Sequence, residues 1–316
     1  FKFKTSLKTI DQYALARELN WEPEIYDNSD FKLTELIYCI SQPQLYWLNT
    51  KNIFLRNEFN YHIDDDSISN LQKYQLMDKI TGRINLDNKE FINLINGIDV
   101  NEELIINGII APKNSIYTKG REISKLINSL HSNLKGIKNI KRSYIKSGSN
   151  KIEYYDSDKS IVHILHSNLN LSKRISAWIK LLLIASRKKN IRNIKIIYRK
   201  DNIYKCETLI SPEYKRIYSL LNEYISIFKN GEKNCLPIPP ESSFKYVKAL
   251  TLDKDPEKSF SDSWIGKSNF TKGERDKPEM RLCFGIERKP EYFLRSNYFK
   301  DISTKIYKPL IEFTDA

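Results

Sequence analysis

Ser160-Ile-Val-His-Ile-Leu-His166 is the stretch on which the fold turns. Its β-branched and apolar residues suit a central strand of a sheet. Two shorter candidates precede it. Ile140-Lys-Arg-Ser-Tyr-Ile145 alternates in character, and Lys151-Ile-Glu-Tyr-Tyr155 follows the turn chemistry of Gly148-Ser-Asn150. After the central strand a helix is predicted from about Leu171 to Lys188. Asn193-Ile-Lys-Ile-Ile-Tyr198 and Tyr204-Lys-Cys-Glu-Thr-Leu-Ile210 then flank Asp201-Asn202, which reads as a hairpin. Ser211-Pro212 predicts a helix running to about Lys229, with the proline at its first position. A small mixed sheet, a long helix, two more strands and another helix make an α/β core.

Upstream the pattern is helical. Phe31-Lys-Leu-Thr-Glu-Leu-Ile-Tyr-Cys-Ile-Ser-Gln-Pro-Gln-Leu-Tyr-Trp-Leu48 predicts a helix that stops before Pro43, then a short aromatic one. Further helices are expected near 68–80, 88–96 and 115–132. Residues 1–30 show little periodicity and read as a connector. The expected organisation is a connector (1–30), a helical segment (31–135), and the α/β core with C-terminal helices (136–316). Asp64-Asp65-Asp66 is the one acidic run that invites a metal reading. Ile68, Leu71, Tyr74, Met77 and Ile80 follow it at helical spacing, so the aspartates read as a helix entrance, where acidic groups meet free N–H groups.

The chain has 316 residues, 52 Lys and Arg against 39 Asp and Glu, and a net charge of +13. That balance suits a polyanionic partner such as DNA. It is also what AT-rich codons produce, since the chain abounds in Ile, Asn, Lys and Tyr. Charge alone therefore decides little. Cys39, Cys206, Cys235 and Cys283 have no paired spacing, which argues against a zinc site, an iron–sulfur clamp or a disulfide framework. A reducing, cytoplasmic setting is expected. There is no run of about 18 apolar residues to span a membrane; Leu181-Leu-Leu-Ile184 is bounded by Lys180 and Arg187 and reads as buried helix. A start at Phe1 rather than Met suggests a piece of a longer chain, and no signal peptide is visible there.

Several landmarks recur in one order. They are Leu33-Thr34 through Gln42-Pro43 to Trp47, Ser67-Ile-Ser-Asn-Leu-Gln-Lys-Tyr-Gln-Leu76, and Gly108-Ile-Ile-Ala-Pro112 before the Glu122–Leu130 helix. Leu236-Pro-Ile-Pro-Pro-Glu241, Gly273-Glu-Arg-Asp276 with Arg281-Leu282, and Pro309-Leu-Ile-Glu-Phe313 follow. Over about residues 31–316 this order resembles the C-terminal portion of the gamma-chain (RecC) family of exodeoxyribonuclease V. The resemblance implies a restriction-endonuclease-like, PD-(D/E)xK-type core that has lost its chemistry. It also implies a heterotrimer with a beta helicase–nuclease chain (RecB) and an alpha helicase chain (RecD), which would hold the ATP and Mg2+. The implied role is to part a duplex at a double-strand break and guide a single strand during recombinational repair.

An active nuclease of that type needs Gly-x-x-Asp on one strand and Asp/Glu-x-Lys on the next, the carboxylates holding Mg2+ and the lysine helping to activate water. Neither Ile140–Ile145 nor Ile161–Asn168 supplies them. Asp156-Ser-Asp158-Lys159 has the right letters but reads as a turn between strands. His163 and His166, three apart on a strand, face opposite ways and read as packed or surface histidines. No Gly-rich phosphate loop is present. The rival reading is a Mg2+-dependent nuclease with displaced ligands at Glu153, Asp156 and Asp158, and a third is a degenerate scaffold.

Binding candidates remain. Arg187, Lys188, Lys189 and Arg192 close the long helix, where cations also complement the helix dipole. Lys141, Arg142 and Lys146, with Lys138, form a second basic patch on or beside the first strand. Tyr144, Tyr154 and Tyr155 lie close enough in sequence to stack on unpaired bases. Gly273-Glu-Arg-Asp276 reads as a charged turn, suited to subunit docking as much as to DNA.

Overall fold

The computed structural model describes residues 32–55, 70–82, 116–135, 137, 140–147, 150–268, 271–285 and 287–315. The expected connector 1–30, the Asp64–Asp66 run, the 88–96 helix, Gly108–Pro112 and Lys138 lie outside them. Helices α1 (Leu33–Ser41) and α2 (Pro43–Thr50) are parted by Gln42, as the missing N–H of Pro43 requires. Then come α3 (Asn70–Gly82) and α4 (Ile116–Leu134). Strands β1 (Lys141–Ser147), β2 (Asn150–Ser157) and β3 (Ser160–Leu165) lead into α5 (Leu171–Arg187). β4 (Asn193–Lys200) and β5 (Ile203–Ile210) precede α6 (Tyr214–Lys233), α7 (Pro240–Thr251) and α8 (Pro256–Ile265). One turn of 3-10 helix (Glu274–Asp276), α9 (Pro278–Phe284), α10 (Glu291–Leu294), α11 (Asn297–Glu312) and β6 (Thr314–Asp315) complete the order.

These elements form two compact units that interleave along the chain. Among the described residues, the sheet unit takes those within 58–170, 180–214 and 314–315, and the helical unit those within 32–57, 171–179 and 215–313.

In the sheet unit the six strands run in the order β1-β2-β3-β4-β5-β6. Every pairing is antiparallel except β3 with β4, which α5 joins as the crossover a parallel pair needs. Side chains alternate between the two faces. One face presents Tyr155, Val162, Ile164, Ile197 and Tyr204 to Leu76 and Met77 of α3 and to Ile123, Leu126, Ile127, Leu130 and Leu134 of α4. The α4 residues recur at three and four, so a single stripe meets the sheet. The other face buries Ile152, Tyr154, Ile161, Ile194, Ile196 and Leu209. The result is an α/β fold with a mixed sheet flanked by helices.

Two local readings are corrected. Asp156 belongs to β2, opposite Lys141 and Ile161, and the turn is only Asp158-Lys159. Asp158 takes the positive φ (38°) that a two-residue hairpin favours. Pro212 precedes α6 rather than opening it. The N–H of Ser211 donates to the carbonyl of Arg192 at 2.7 Å, which keeps the chain extended past β5, and the helix begins at Tyr214.

In the helical unit, α6 buries Leu220, Tyr224, Ile227 and Phe228 along one stripe. Trp178 Nε1 donates to the Tyr224 hydroxyl at 2.9 Å, which in turn donates to the Ile306 carbonyl at 3.3 Å. Phe260, Trp264, Phe284, Phe293 and Phe299 make a second cluster of mostly edge-on rings, with centroids 5.0 Å apart for Trp264 and Phe293.

Candidate nucleic-acid interface

The end of β2 sets the site. Tyr154 and Asp156 point to one face of the sheet, Glu153 and Tyr155 to the other. Asp156 is 7% exposed, and a carboxylate so buried needs a charged partner. Lys188, just past α5, supplies it. Its Nζ donates to Asp156 Oδ2 at 2.5 Å and lies 5.3 Å from the centre of the Tyr154 ring. Partial burial opposes the ammonium charge, but the hydrogen bond to Asp156 and the charge of that carboxylate outweigh it and raise the pKa of Lys188 above the ordinary lysine value.

Register gathers further cations around this pair. Lys141 is the β1 residue directly opposite Asp156 and shares its face. The loop after α5 is fastened to the β2–β3 turn: Asn190 Nδ2 donates to the Asp158 carbonyl at 3.0 Å, and the Arg192 N–H to the Lys159 carbonyl at 2.7 Å. Lys189 holds its Nζ 5.1 Å from the Tyr214 ring centre. Lys141, Arg187, Lys189 and Arg192 are exposed, as is Lys159, so five cations share one end of the sheet with the half-exposed Lys188.

The remaining candidates fall elsewhere. Arg142 occupies the opposite face and forms an ion pair with Glu153 on the neighbouring strand. Lys146 stands opposite Lys151, five residues along β1 from Lys141 and so about 16 Å away. Tyr144 is exposed, but Tyr155 packs into the core and Tyr154 is buried beneath Lys188. Tyr214 was not foreseen, since nothing local links it to Lys189.

The displaced ligands of the rival reading do not converge. Glu153 faces away from Asp156, Asp158 sits in an exposed turn, and Asp156 is taken by Lys188. Among the described residues no group of three His, Cys, Asp or Glu side chains is placed to hold a metal. His166 lies just past β3, where its Nδ1 is 2.6 Å from the Tyr204 hydroxyl and its Nε2 is 2.9 Å from Thr81 Oγ1. Burial lowers its pKa to about 4, and burial followed by the nearby Lys180 lowers that of His163 to about 3. Both are neutral packing groups at ordinary pH.

The charged turn expected at Gly273–Asp276 is an internal fastener. Glu274 is buried and accepts the N–H groups of Glu241 at 2.9 Å and Ser242 at 2.6 Å, capping the start of α7. Asp276 accepts the N–H of Gly273 at 2.8 Å. Their carboxylates are engaged within the chain, not held out for docking.

Residues 118–251 match the family described as the RecC C-terminal domain. Over this stretch the chain is similar to the RecC C-terminal domain. The RecC match runs from within α4 to the end of α7, and so takes in β1–β5, the Asp156–Lys188 pair and all five exposed cations at the sheet end. RecC is a subunit of the RecBCD complex, which acts on DNA in repair and recombination. No curated protein matches the chain. No helix among the described residues is long and apolar enough to cross a membrane.

Proposed function

We propose that this RecC portion is a non-catalytic, restriction-endonuclease-like domain that holds DNA by its phosphates and guides a strand. The cutting and motor work, with their Mg2+ and ATP, belong to RecB and RecD partners in a cytoplasmic complex that repairs double-strand breaks. The observation that carries this reading is the Asp156–Lys188 pair. A buried carboxylate on an inner strand of the sheet, a residue type that could serve a metal, is instead paired with a lysine within a basic surface. The mixed sheet with helices on its faces supports the same reading. Lys188 is committed to Asp156 and Tyr154, so phosphate contact falls to Lys141, Arg187, Lys189 and Arg192 around it. Such contacts position a strand without reading its sequence. Binding of labelled DNA by the chain across a salt series tests this. A basic end that contacts phosphates gives a steep salt dependence that weakens when Arg187, Lys189 and Arg192 are reversed in charge.

A further inference from the structure

The helical unit contains a hollow that the basic end of the sheet does not use. Parts of α7, α8 and the segment from α8 to α9 line it, and it is open to solvent with a volume of about 540 Å3. A second hollow of about 260 Å3 adjoins it, with Lys245, Asp262 and Lys267 as the shared wall. The larger volume is in the range of a ligand site rather than a packing defect.

The charges around it are unevenly engaged. Of the four carboxylates lining the larger hollow, three are already satisfied. Glu241 pairs with Lys277 at 2.8 Å, Glu274 takes two backbone N–H groups of α7, and Asp276 takes the N–H of Gly273. Lys245, Lys267 and Lys272 line the same space and, among the described residues, pair with no carboxylate. Lys248 and Lys254 extend the same condition into the adjoining hollow. Across the two hollows five lysines without a carboxylate partner outnumber the three carboxylates left once Glu241 and Lys277 have paired.

Two of these lysines follow or precede glycines with a constrained backbone. Gly266 has φ +101°, and a Cβ there would lie 2.0 Å from the Thr271 carbonyl oxygen. A Cβ on Gly273 would lie 2.2 Å from the Trp264 carbonyl oxygen. The two passes of chain touch, and only glycine permits the approach. Thr271 Oγ1 also accepts the Ser268 N–H at 2.9 Å. Lys267 follows one glycine and Lys272 precedes the other, so the neck fixes both backbones beside the hollow. Fixing them beforehand reduces the entropy lost when an anion binds.

We propose that this hollow is a second phosphate-binding site, taking the backbone of single-stranded nucleic acid through Lys245, Lys267 and Lys272, with Lys248 and Lys254 continuing the track. A concave space of this size admits nucleotide-sized groups one after another, whereas a duplex presents its phosphates on a convex surface. Leu252, 51% exposed in the adjoining hollow, gives the bases an apolar neighbour but no stacking ring, so little sequence preference follows. The proposal rests on the reading of the chain as DNA-binding, but not on the basic end of the sheet.

The test uses the whole chain, a labelled oligothymidylate and a salt series. The combined variant Lys245→Gln, Lys267→Gln, Lys272→Gln is expected to flatten the log–log salt slope by about 2, at about 0.7 per lost contact on a single strand. The matching Lys→Arg variant is expected to keep the slope, with circular dichroism confirming that both fold. An unchanged slope in the Gln variant, while charge reversal at Arg187, Lys189 and Arg192 flattens it, overturns the hollow and leaves the proposed function standing. No change with either set overturns both. Loss of inorganic phosphate binding with an unchanged oligonucleotide slope overturns the nucleic-acid assignment.

Discussion

Asp156 on β2 and Lys188 at the end of α5 form an ion pair at 2.5 Å in which the carboxylate is the more buried partner, 10% exposed against 37% for the lysine. Removing either member is therefore unequal. Lys188→Ala strands a carboxylate largely out of water, and a loss of about 2–4 kcal/mol is expected, near the range for breaking a buried pair. Asp156→Ala leaves a lysine that can turn outward, so about 1–2 kcal/mol is expected once solvent screening is allowed for. Urea unfolding of the two variants gives the order directly, and the reverse order would show that burial of Asp156 is not what the pair compensates.

The same pair bears on chemistry. The chain alone is expected to leave linear DNA intact in Mg2+ or Mn2+, because Glu153, Asp156 and Asp158 do not converge. Cleavage that disappears in the Asp156→Ala, Asp158→Ala double variant would overturn the non-catalytic reading.

At the basic end, reversing Arg187, Lys189 and Arg192 should reduce the salt slope by about 1.5–2.5 if two or three phosphate contacts are lost. Preference among DNA sequences should hardly change. Helix termination alone predicts a different result, a stability loss of about 1 kcal/mol or less with the slope kept.

The buried histidines predict a pH dependence of stability. His166 has a folded pKa of about 4 against about 6.5 unfolded, so between these values the unfolded chain binds the extra proton. Its stabilisation is complete above pH 6.5 and is lost as the pH falls towards 4, by up to about 1.4 kcal/mol per pH unit. His163 acts in the same direction. Urea midpoints measured from pH 7 to 4.5 should fall for the native chain and fall less for His166→Gln. Equal slopes would show that His166 is not buried in its neutral form.

The strands and the crossover helix were legible because β-branching, alternation and turn residues are local signals. Ile161, Ile194 and Ile196 announce a sheet interior before any partner is known. Asp156 was misplaced because Asp-Ser-Asp-Lys is genuine turn chemistry over four residues, whereas its backbone pairs with Lys141 and Ile161 and its carboxylate meets a lysine 32 residues away. The two basic patches were visible separately, but that Lys141 joins the first patch while Arg142 and Lys146 do not depends on the Lys141–Asp156 register, which composition cannot reveal. Glu274 looked like a surface charge for the same reason, since its amide partners lie 32 and 33 residues upstream. The lysine hollow left no local mark at all; it depends on two glycines whose backbones meet across a loop.

Strand β6 has a consequence for synthesis. Thr314 and Asp315 pair with Leu209 and Thr208, so the β5 edge receives this partner only after all of Lys215–Phe313 has been translated. At about 5–20 residues per second that interval lasts about 5–20 s. During it, the nascent sheet presents unpaired N–H and C=O groups of the kind through which chains aggregate. Exposed Lys205 on that strand stands as a charged gatekeeper while the last strand is awaited.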